Sequence, residues 1–451
     1  MIQALLIFLT ISQIASKGLV FPATATKASP DQPNKFLKIY LDSEVLTFTI
    51  ENKTYPLSFL NTYDDLLNSN VCLGQPTPQC FDVILDTGSY LLWVANSQCT
   101  GKLCPSYKYY ESSSTTAKNT GEKFSMQYAT GSTSGVLVKE MTTFFKQTTP
   151  VEILFLSADQ SSFPATYSYG ILGLGRNYNN KLSRVDGSIM GALMNSSAIE
   201  KNVFSMKWKN YYDGEFVVGD YPEDLKNSSF ANYTTCDVVD LYKPKATEFK
   251  DIYWSCLSSG FVYSSTNSST YINQTMSIVF DSGANSLLGP LSDLNNIGNT
   301  YAPTGCRTYT EMGTGLILCK SNVDFSKLPD FGFQVNGEKF QTPASEMYKD
   351  LPQSVLGYTK MFKAIFSSQF SFWLIGTPIL RHYLVVYDKD KMQVGFQPNR
   401  NDLERYSNPL VWIIIIVSIL LLIGVGLALY CCCYRKRGTT VGTLKQGLIN
   451  N

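Results

Sequence analysis

Short apolar runs, alternating with polar residues or rich in β-branched side chains and punctuated by Gly, Ser, Thr and Asn, recur along most of the chain. That period of two predicts strands, and sustained helical heptads are absent. Val45-Leu46-Thr47-Phe48-Thr49-Ile50 alternates cleanly. Lys123–Tyr128 alternates, Ala129-Thr130-Gly131-Ser132 turns, and Thr133–Val138 runs back, which predicts a β-hairpin with Tyr128 at its tip. Two segments break the pattern. Met1–Ser16 is apolar and ends in small residues, as a signal peptide does, although it carries no Lys or Arg. Leu410–Tyr430 holds 21 residues without a charge, the length of a membrane-spanning helix, with Trp412 and Tyr430 near its ends.

Arg435-Lys436-Arg437 follows that span, so the positive-inside rule predicts a cytosolic tail over 431–451 and a lumenal or extracellular remainder, a type I arrangement. A polar tail after the span argues against a lipid-anchor signal. Between the two apolar segments the reading is a leader or propeptide over 17–54, an N-terminal β lobe over 55–230, a C-terminal β lobe over 231–401 and a linker over 402–409. The chain has 451 residues, enough for two such lobes, and its 28 Tyr and 26 Phe favour an all-β fold. A formal charge of +1 gives no reason to expect nucleic acid.

Cysteine usage fits an oxidising compartment. Cys72, Cys80, Cys99, Cys104, Cys236, Cys256, Cys306 and Cys319 all precede the span; pairing between sequence neighbours is expected, while the connectivity stays open. A metal site is not expected, because His382 is the sole histidine, read as a strand residue, and no CxxC pair occurs. Cys431, Cys432 and Cys433 at the membrane edge are candidates for palmitoylation, or else plain reduced thiols. Sequons at Asn52, Asn195, Asn227, Asn232, Asn267 and Asn273 are candidates for glycosylation.

The candidate chemistry lies in two similar stretches. Val83-Ile84-Leu85-Asp86-Thr87-Gly88-Ser89 and Ile278-Val279-Phe280-Asp281-Ser282-Gly283-Ala284 each run from apolar residues into Asp, a hydroxyl residue and Gly. An Asp at a strand end is unfavourable unless donors hold it, and the Gly allows a turn whose N–H groups face the carboxylate. Asp86 is followed 87 residues later by Gly173 in Ile171-Leu172-Gly173-Leu174-Gly175, and Asp281 is followed 95 residues later by Gly376 in Leu374-Ile375-Gly376. This internal repeat predicts two homologous β lobes with one Asp each at their junction.

From about Tyr55 to Pro398 the chain resembles the pepsin-like aspartic proteases. The motifs that carry the resemblance, in order, are Asp86-Thr87-Gly88-Ser89 with Leu92-Trp93-Val94, the Tyr128 hairpin with Thr130-Gly131-Ser132, Ile171–Gly175, Asp281-Ser282-Gly283 and Leu374–Gly376. The resemblance implies a bilobal β protein with Asp86 and Asp281 facing each other on the floor of a cleft. It implies that Tyr128, Ala129, Thr130 and Gly131 form a flap, with Trp93 the hydrogen-bond partner of Tyr128. Thr87 and Ser282 would tie the two loops together, and Ser89 would hydrogen-bond Asp86. It further implies peptide and protein substrates, no cofactor, a monomer and an acidic optimum.

Two departures matter. Ala129 stands where many members of the family have Gly, and Ala284 lacks the hydroxyl that Ser89 supplies, which leaves Asp281 with one partner fewer. Two other functions compete with this reading. A receptor or adhesion ectodomain that lost turnover is disfavoured by the presence of both Asp and both Gly. A two-carboxylate glycoside hydrolase leaves the repeated Asp-hydroxyl-Gly turns and the Tyr hairpin unexplained.

Overall fold

Two large sheets take up nearly every described strand of the protein, seen in a computed structural model. It describes residues 66–399 apart from 101–103, 129–130, 145–149, 163–168, 177–187, 210–212, 224, 226–232, 242–251, 266–267, 302–304 and 312, together with the strands Leu19–Ala25, Thr47–Ile50 and Lys53–Pro56. The predicted signal peptide, the 410–430 span, the tail with Cys431, Cys432 and Cys433, flap residues Ala129 and Thr130, and sequons Asn52, Asn227, Asn232 and Asn267 lie outside the described residues. Among the described residues no helix is long and apolar enough to cross a membrane.

The larger sheet has 13 strands and draws on both halves of the chain. Lys118–Tyr128, Gly131–Phe144, Val151–Ser161, Trp93–Ala95, Gly170–Gly173, Gln79–Asp86 and Leu67–Leu73 form one side of it. It continues through Leu19–Ala25, Asp213–Val218 and Val203–Trp208 to Tyr383–Asp388, Gln393–Pro398 and Thr234–Asp237. The segment Leu19–Ala25, within the predicted leader, is thus an interior strand, antiparallel to both Asp213–Val218 and Leu67–Leu73. Thr47–Ile50 forms a separate two-stranded hairpin with Lys53–Pro56. The second sheet, of 11 strands, lies wholly within Ser255–Ile375.

The same local arrangement appears once in each sheet. Gly170–Gly173 runs parallel to Gln79–Asp86 with Gly173 opposite Asp86, and Trp373–Ile375 runs parallel to Ser269–Phe280 with Ile375 opposite Phe280. A Cβ on Gly173 would stand 2.3 Å from the Leu91 nitrogen, and one on Gly376 would stand 2.3 Å from the Ala284 oxygen. Only glycine admits such close backbone approach, so the repeated pair of apolar residues followed by Gly is a packing requirement.

Both sheets are buried where they carry the Asp turns. Val83, Ile84 and Leu85 are buried, as are Ile278, Val279 and Phe280, so the strand ends that run into the Asp turns are apolar on both faces and do not alternate there. Trp373 sits among Phe261, Phe333 and Phe366 at ring separations of 5.6, 5.5 and 5.6 Å, and its indole N–H donates to buried Asp293 at 2.9 Å. Burial of aromatic rings on this scale supplies much of the driving force for folding.

The eight described cysteines pair as sequence neighbours: Cys72–Cys80, Cys99–Cys104, Cys236–Cys256 and Cys306–Cys319. One expectation needs correcting. His382 is not in a strand but in the turn before Tyr383–Asp388, because its N–H still bonds back to Ile379 at 3.0 Å as the helix Thr377–Leu380 ends. Its ring lies 3.3 Å from buried Glu346, which also pairs with Arg381.

The 20-residue separation of Cys236 and Cys256, against 5 for Cys99 and Cys104, sets the relative value of two cross-links. Replacing Cys236 and Cys256 together by Ser is expected to cost about 2–4 kcal/mol in denaturant unfolding, about 1 kcal/mol more than the same change at Cys99 and Cys104.

Candidate active site

The Asp86 and Asp281 turns are bound to each other by side chains that reach across. The Thr87 hydroxyl donates to the Phe280 carbonyl at 2.8 Å and accepts from the Ser282 N–H at 2.9 Å. The Ser282 hydroxyl donates to the Leu85 carbonyl at 2.7 Å and accepts from the Thr87 N–H at 3.1 Å. Thr87 and Ser282 are both fully buried, so these four bonds form away from competing water.

Each glycine then makes room for the opposite carboxylate. A Cβ on Gly88 would stand 2.4 Å from the Asp281 Oδ2, and one on Gly283 would stand 2.3 Å from the Asp86 Oδ1. No other residue fits at either position without displacing the carboxyl groups. The Asp-hydroxyl-Gly order therefore has a division of labour: the hydroxyl fastens the loops and the glycine lets the acids meet.

The two acids are held differently. Asp86 accepts from the Gly88 N–H at 2.9 Å and from the Ser89 hydroxyl at 2.5 Å. Asp281 accepts from the Gly283 N–H at 2.9 Å, and Ala284 beside it offers a backbone N–H but no hydroxyl. Both carboxyl groups are nearly inaccessible, with Asp86 5 % and Asp281 9 % exposed. Burial raises the pKa of Asp86, while the bonds from Ser89, Asp281 and the Gly88 and Ser89 amides pull it down. Burial also raises Asp281, and the negative charge and hydrogen bond of Asp86 push it higher still, well above the ordinary carboxylate range. Both shifts favour retention of one proton by the pair, with Asp281 the more strongly raised of the two.

Tyr128 closes one side of this centre. The hairpin predicted for it forms, with Tyr128 opposite Gly131 across a two-residue connection, and Gln127 Nε2 braces the end by donating to the Tyr128 and Gly131 carbonyls at 3.0 Å each. Its ring packs with Tyr90 and Phe124 on the buried cluster of Trp93, Met126 and Leu156. Burial and the charge of Asp86 hold the Tyr128 phenol well above its usual range, opposed by hydrogen bonding to the side chains of Ser89 and Trp93.

Two tyrosines belong to the site that no sequence motif marked. Tyr253, half-buried against Phe372 at 6.4 Å, has its phenol pKa raised by burial and by the charges of Asp281 and Asp86. Tyr387, stacked on Phe204 at 4.7 Å, is fully buried; burial raises its phenol pKa and hydrogen bonding with the Thr87 side chain opposes the rise. Both lie in strands or connections whose apolar pattern resembles ordinary core, and their role comes from long-range pairing. Asn195, at the end of the helix Ile189–Asn195, and Asn273, in Ser269–Phe280, are exposed. A separate cavity of about 520 Å³, lined by Lys201, Tyr221, Tyr233 and Lys391, contains neither acid of the pair.

A family model for eukaryotic aspartyl proteases matches residues 68–399, and that interval contains both Asp turns, the Tyr128 hairpin and both glycine-terminated strands. The chain belongs to this family. The protease is 27% identical over 353 residues to pepsin A of Gallus gallus, an overlap of 75% of this chain and 85% of that protein. It is 26% identical over 348 residues to gastricsin of Cavia porcellus, covering 76% of this chain and 81% of that one. With Pepsin-2B of Gadus morhua the identity is 27% over 337 residues, or 73% and 94% of the two chains. The protease is an aspartic-type endopeptidase.

The raised acids make the stability of the protease depend on pH in a defined direction. Both folded-state pKa values lie above the ordinary 3.8, so in that window the folded protein binds more protons than the unfolded chain. The pair's contribution is then most favourable below about pH 3.8 and is lost as pH rises through the folded values. Thermal unfolding from about pH 3 to 7 is expected to show Asp281→Asn gaining on the parent as pH rises, with the difference vanishing in acid. A difference that grows in acid would contradict this.

Proposed function

We propose that this protein is a membrane-anchored aspartic endopeptidase that hydrolyses peptide bonds with a water activated between Asp86 and Asp281. The observation that carries the reading is the mutual approach of two buried carboxyls, each lying over the other's glycine. Two such groups cannot both ionise, the behaviour for which aspartic proteases are the standing example. Asp86 acts as general base toward the water and protonated Asp281 donates to the scissile carbonyl oxygen. As the carbon becomes tetrahedral, the water proton moves to Asp86 and the Asp281 proton to the developing alkoxide. Collapse returns a proton to the leaving nitrogen, and no covalent bond to the enzyme forms.

In this reading Tyr128 and Gly131, with Ala129 and Thr130 between them, cover an extended peptide and Trp93 holds the tyrosine. Exclusion of water by such a cover strengthens every charge interaction beneath it. Mildly acidic solution is the working range, because there the pair keeps its single proton. The span at 410–430 anchors the catalytic part on the lumenal or extracellular side, where disulfides form and exposed Asn195 and Asn273 meet the glycosylation machinery. The binding-module alternative retains the fold without turnover; the complete set of cross-loop bonds made by Thr87 and Ser282 favours the enzyme.

Full-length protein in detergent is expected to cleave peptide libraries in mild acid, and Asp86→Asn and Asp281→Asn are each expected to lower kcat by about 10²–10⁴-fold. Cleavage that survives both substitutions would defeat the proposal. Anchoring is tested separately: alkaline extraction of membranes should leave the full chain in the pellet and release a chain ending before residue 402. Release of both would remove the anchor.

A further inference from the structure

Tyr271, Asn273 and Thr275 are exposed on the strand Ser269–Phe280, while Ile272 and Gln274 between them turn inward. Ile272 packs on the main core, and Gln274 Nε2 donates to buried Asp293 Oδ1 at 3.1 Å. The strand period of two therefore puts Tyr271 and Asn273 on the same outer face, about 7 Å apart. Tyr271 is 44 % exposed, a large apolar surface left in water beside the asparagine of a sequon.

The backbone leaves room around that asparagine. Ser258 pairs with Met276 and Gly260 with Asn273, so Gln274 and Thr275 together stand against the single residue Ser259, and this β-bulge bends the strand just after Asn273. Gly260 puts no side chain across from Asn273. A Cβ at that position would lie 2.0 Å from the Ile272 oxygen, so only glycine fits there. Tyr271 is braced by its other neighbour on this face: Ser269 accepts from the Lys339 ammonium at 2.6 Å, and the same ammonium lies 6.0 Å from the Tyr271 ring centroid.

An exposed tyrosine alone is ordinary surface, and a sequon alone is a short motif. Their combination here is specific, because Asn273-Gln274-Thr275 sets an acceptor amide two residues beyond an aromatic ring on the ring's own face. Asn195 supplies the contrast. It ends the helix Ile189–Asn195, in which residues two apart do not face each other, and the residue two before it, Leu193, is buried.

We propose that Asn273 carries an N-linked glycan whose first N-acetylglucosamine lies with its C–H face against the Tyr271 ring. The inference rests on the lumenal or extracellular placement of the catalytic part. In the transfer, Asn273 Nδ2 bonds to the anomeric carbon of the sugar as that carbon's bond to a lipid diphosphate oxygen breaks; the diphosphate leaves and the amide gives up one proton. A β-linked pyranose gathers its axial hydrogens on one apolar face and spreads its hydroxyls around the rim. That face covers aromatic area otherwise left in water, and its polarised C–H groups are attracted by the negative face of the ring.

The test uses full-length protein made in glycosylating cells and kept in detergent. Peptide mass spectrometry reads the occupancy of each sequon, and thermal unfolding at one scan rate reads the contact in the parent, Asn273→Gln, Tyr271→Ala and the double variant. Asn273 is expected to be occupied. Asn273→Gln should lower the apparent Tm by about 2 °C, and the same change in the Tyr271→Ala background should lower it by less than half as much. Asn195→Gln is the comparison, and its effect should not depend on Tyr271. A second readout needs no substitution: nitration of Tyr271 in the native parent is expected to speed up about threefold after enzymatic removal of the whole glycan, and to stay slow where trimming leaves the first sugar. An unoccupied Asn273, a Tm loss that ignores Tyr271, or a nitration rate unchanged by removal would overturn the proposal. Sugar on other sequons with none on Asn273 defeats this site alone, whereas sugar on none of them defeats the lumenal placement as well.

Discussion

Four hydrogen bonds, two from each of Thr87 and Ser282 into the opposite loop, are the constraint on which the rest of the molecule turns. They bring together two strand ends that are 195 residues apart in sequence and oblige two carboxyl groups to lie in contact. Such contact is unfavourable for two charges in a shielded place, and retention of one proton relieves it. The large sheets, the parallel strands that lead to Gly173 and Gly376, and the packed rings of Phe204, Trp254 and Tyr387 can be understood as the support that makes the arrangement rigid. Rigid support is what a charge-based mechanism needs, because reorganisation at the moment of reaction would cost as much as the field supplies.

Much of this was legible in the residues. The repeated Asp-hydroxyl-Gly order carried its own explanation, since hydroxyl and glycine do separate jobs, and the offsets to Gly173 and Gly376 matched the strands that run beside each Asp. The Tyr128 hairpin was legible from simple alternation around a turn. Pairing chosen by tertiary contacts was not. Nothing in Tyr383–Asp388, buried on both faces, says that it will pair with Val203–Trp208, a partner from the other half of the chain. Tyr253 and Tyr387 look like core residues in sequence because they are core residues in part, and their relation to the acids arises only when distant strands meet. His382 resembles part of a strand in sequence because its neighbours are β-formers; the preceding four-residue helix, capped at Gly376, places the strand boundary past it.

The pair is symmetric in its fastening and asymmetric in its solvation. Ser89 gives Asp86 a hydroxyl donor, whereas Ala284 gives Asp281 none, and the difference between those two residues biases where the proton sits. In the proposed mechanism this side-chain oxygen is one of the features that distinguish the base from the acid. Proton location in a coupled pair is a property of the pair, so the bias is one of population and is open to direct observation.

Carbon-13 NMR of protein labelled at the aspartate carboxyl carbons observes it most directly. The account predicts two coupled carboxyl resonances, one of which stays protonated well above the ordinary carboxylate range and disappears in Asp281→Asn. Two resonances that titrate independently near the unperturbed value, or a high-titrating resonance that vanishes only in Asp86→Asn, would contradict it.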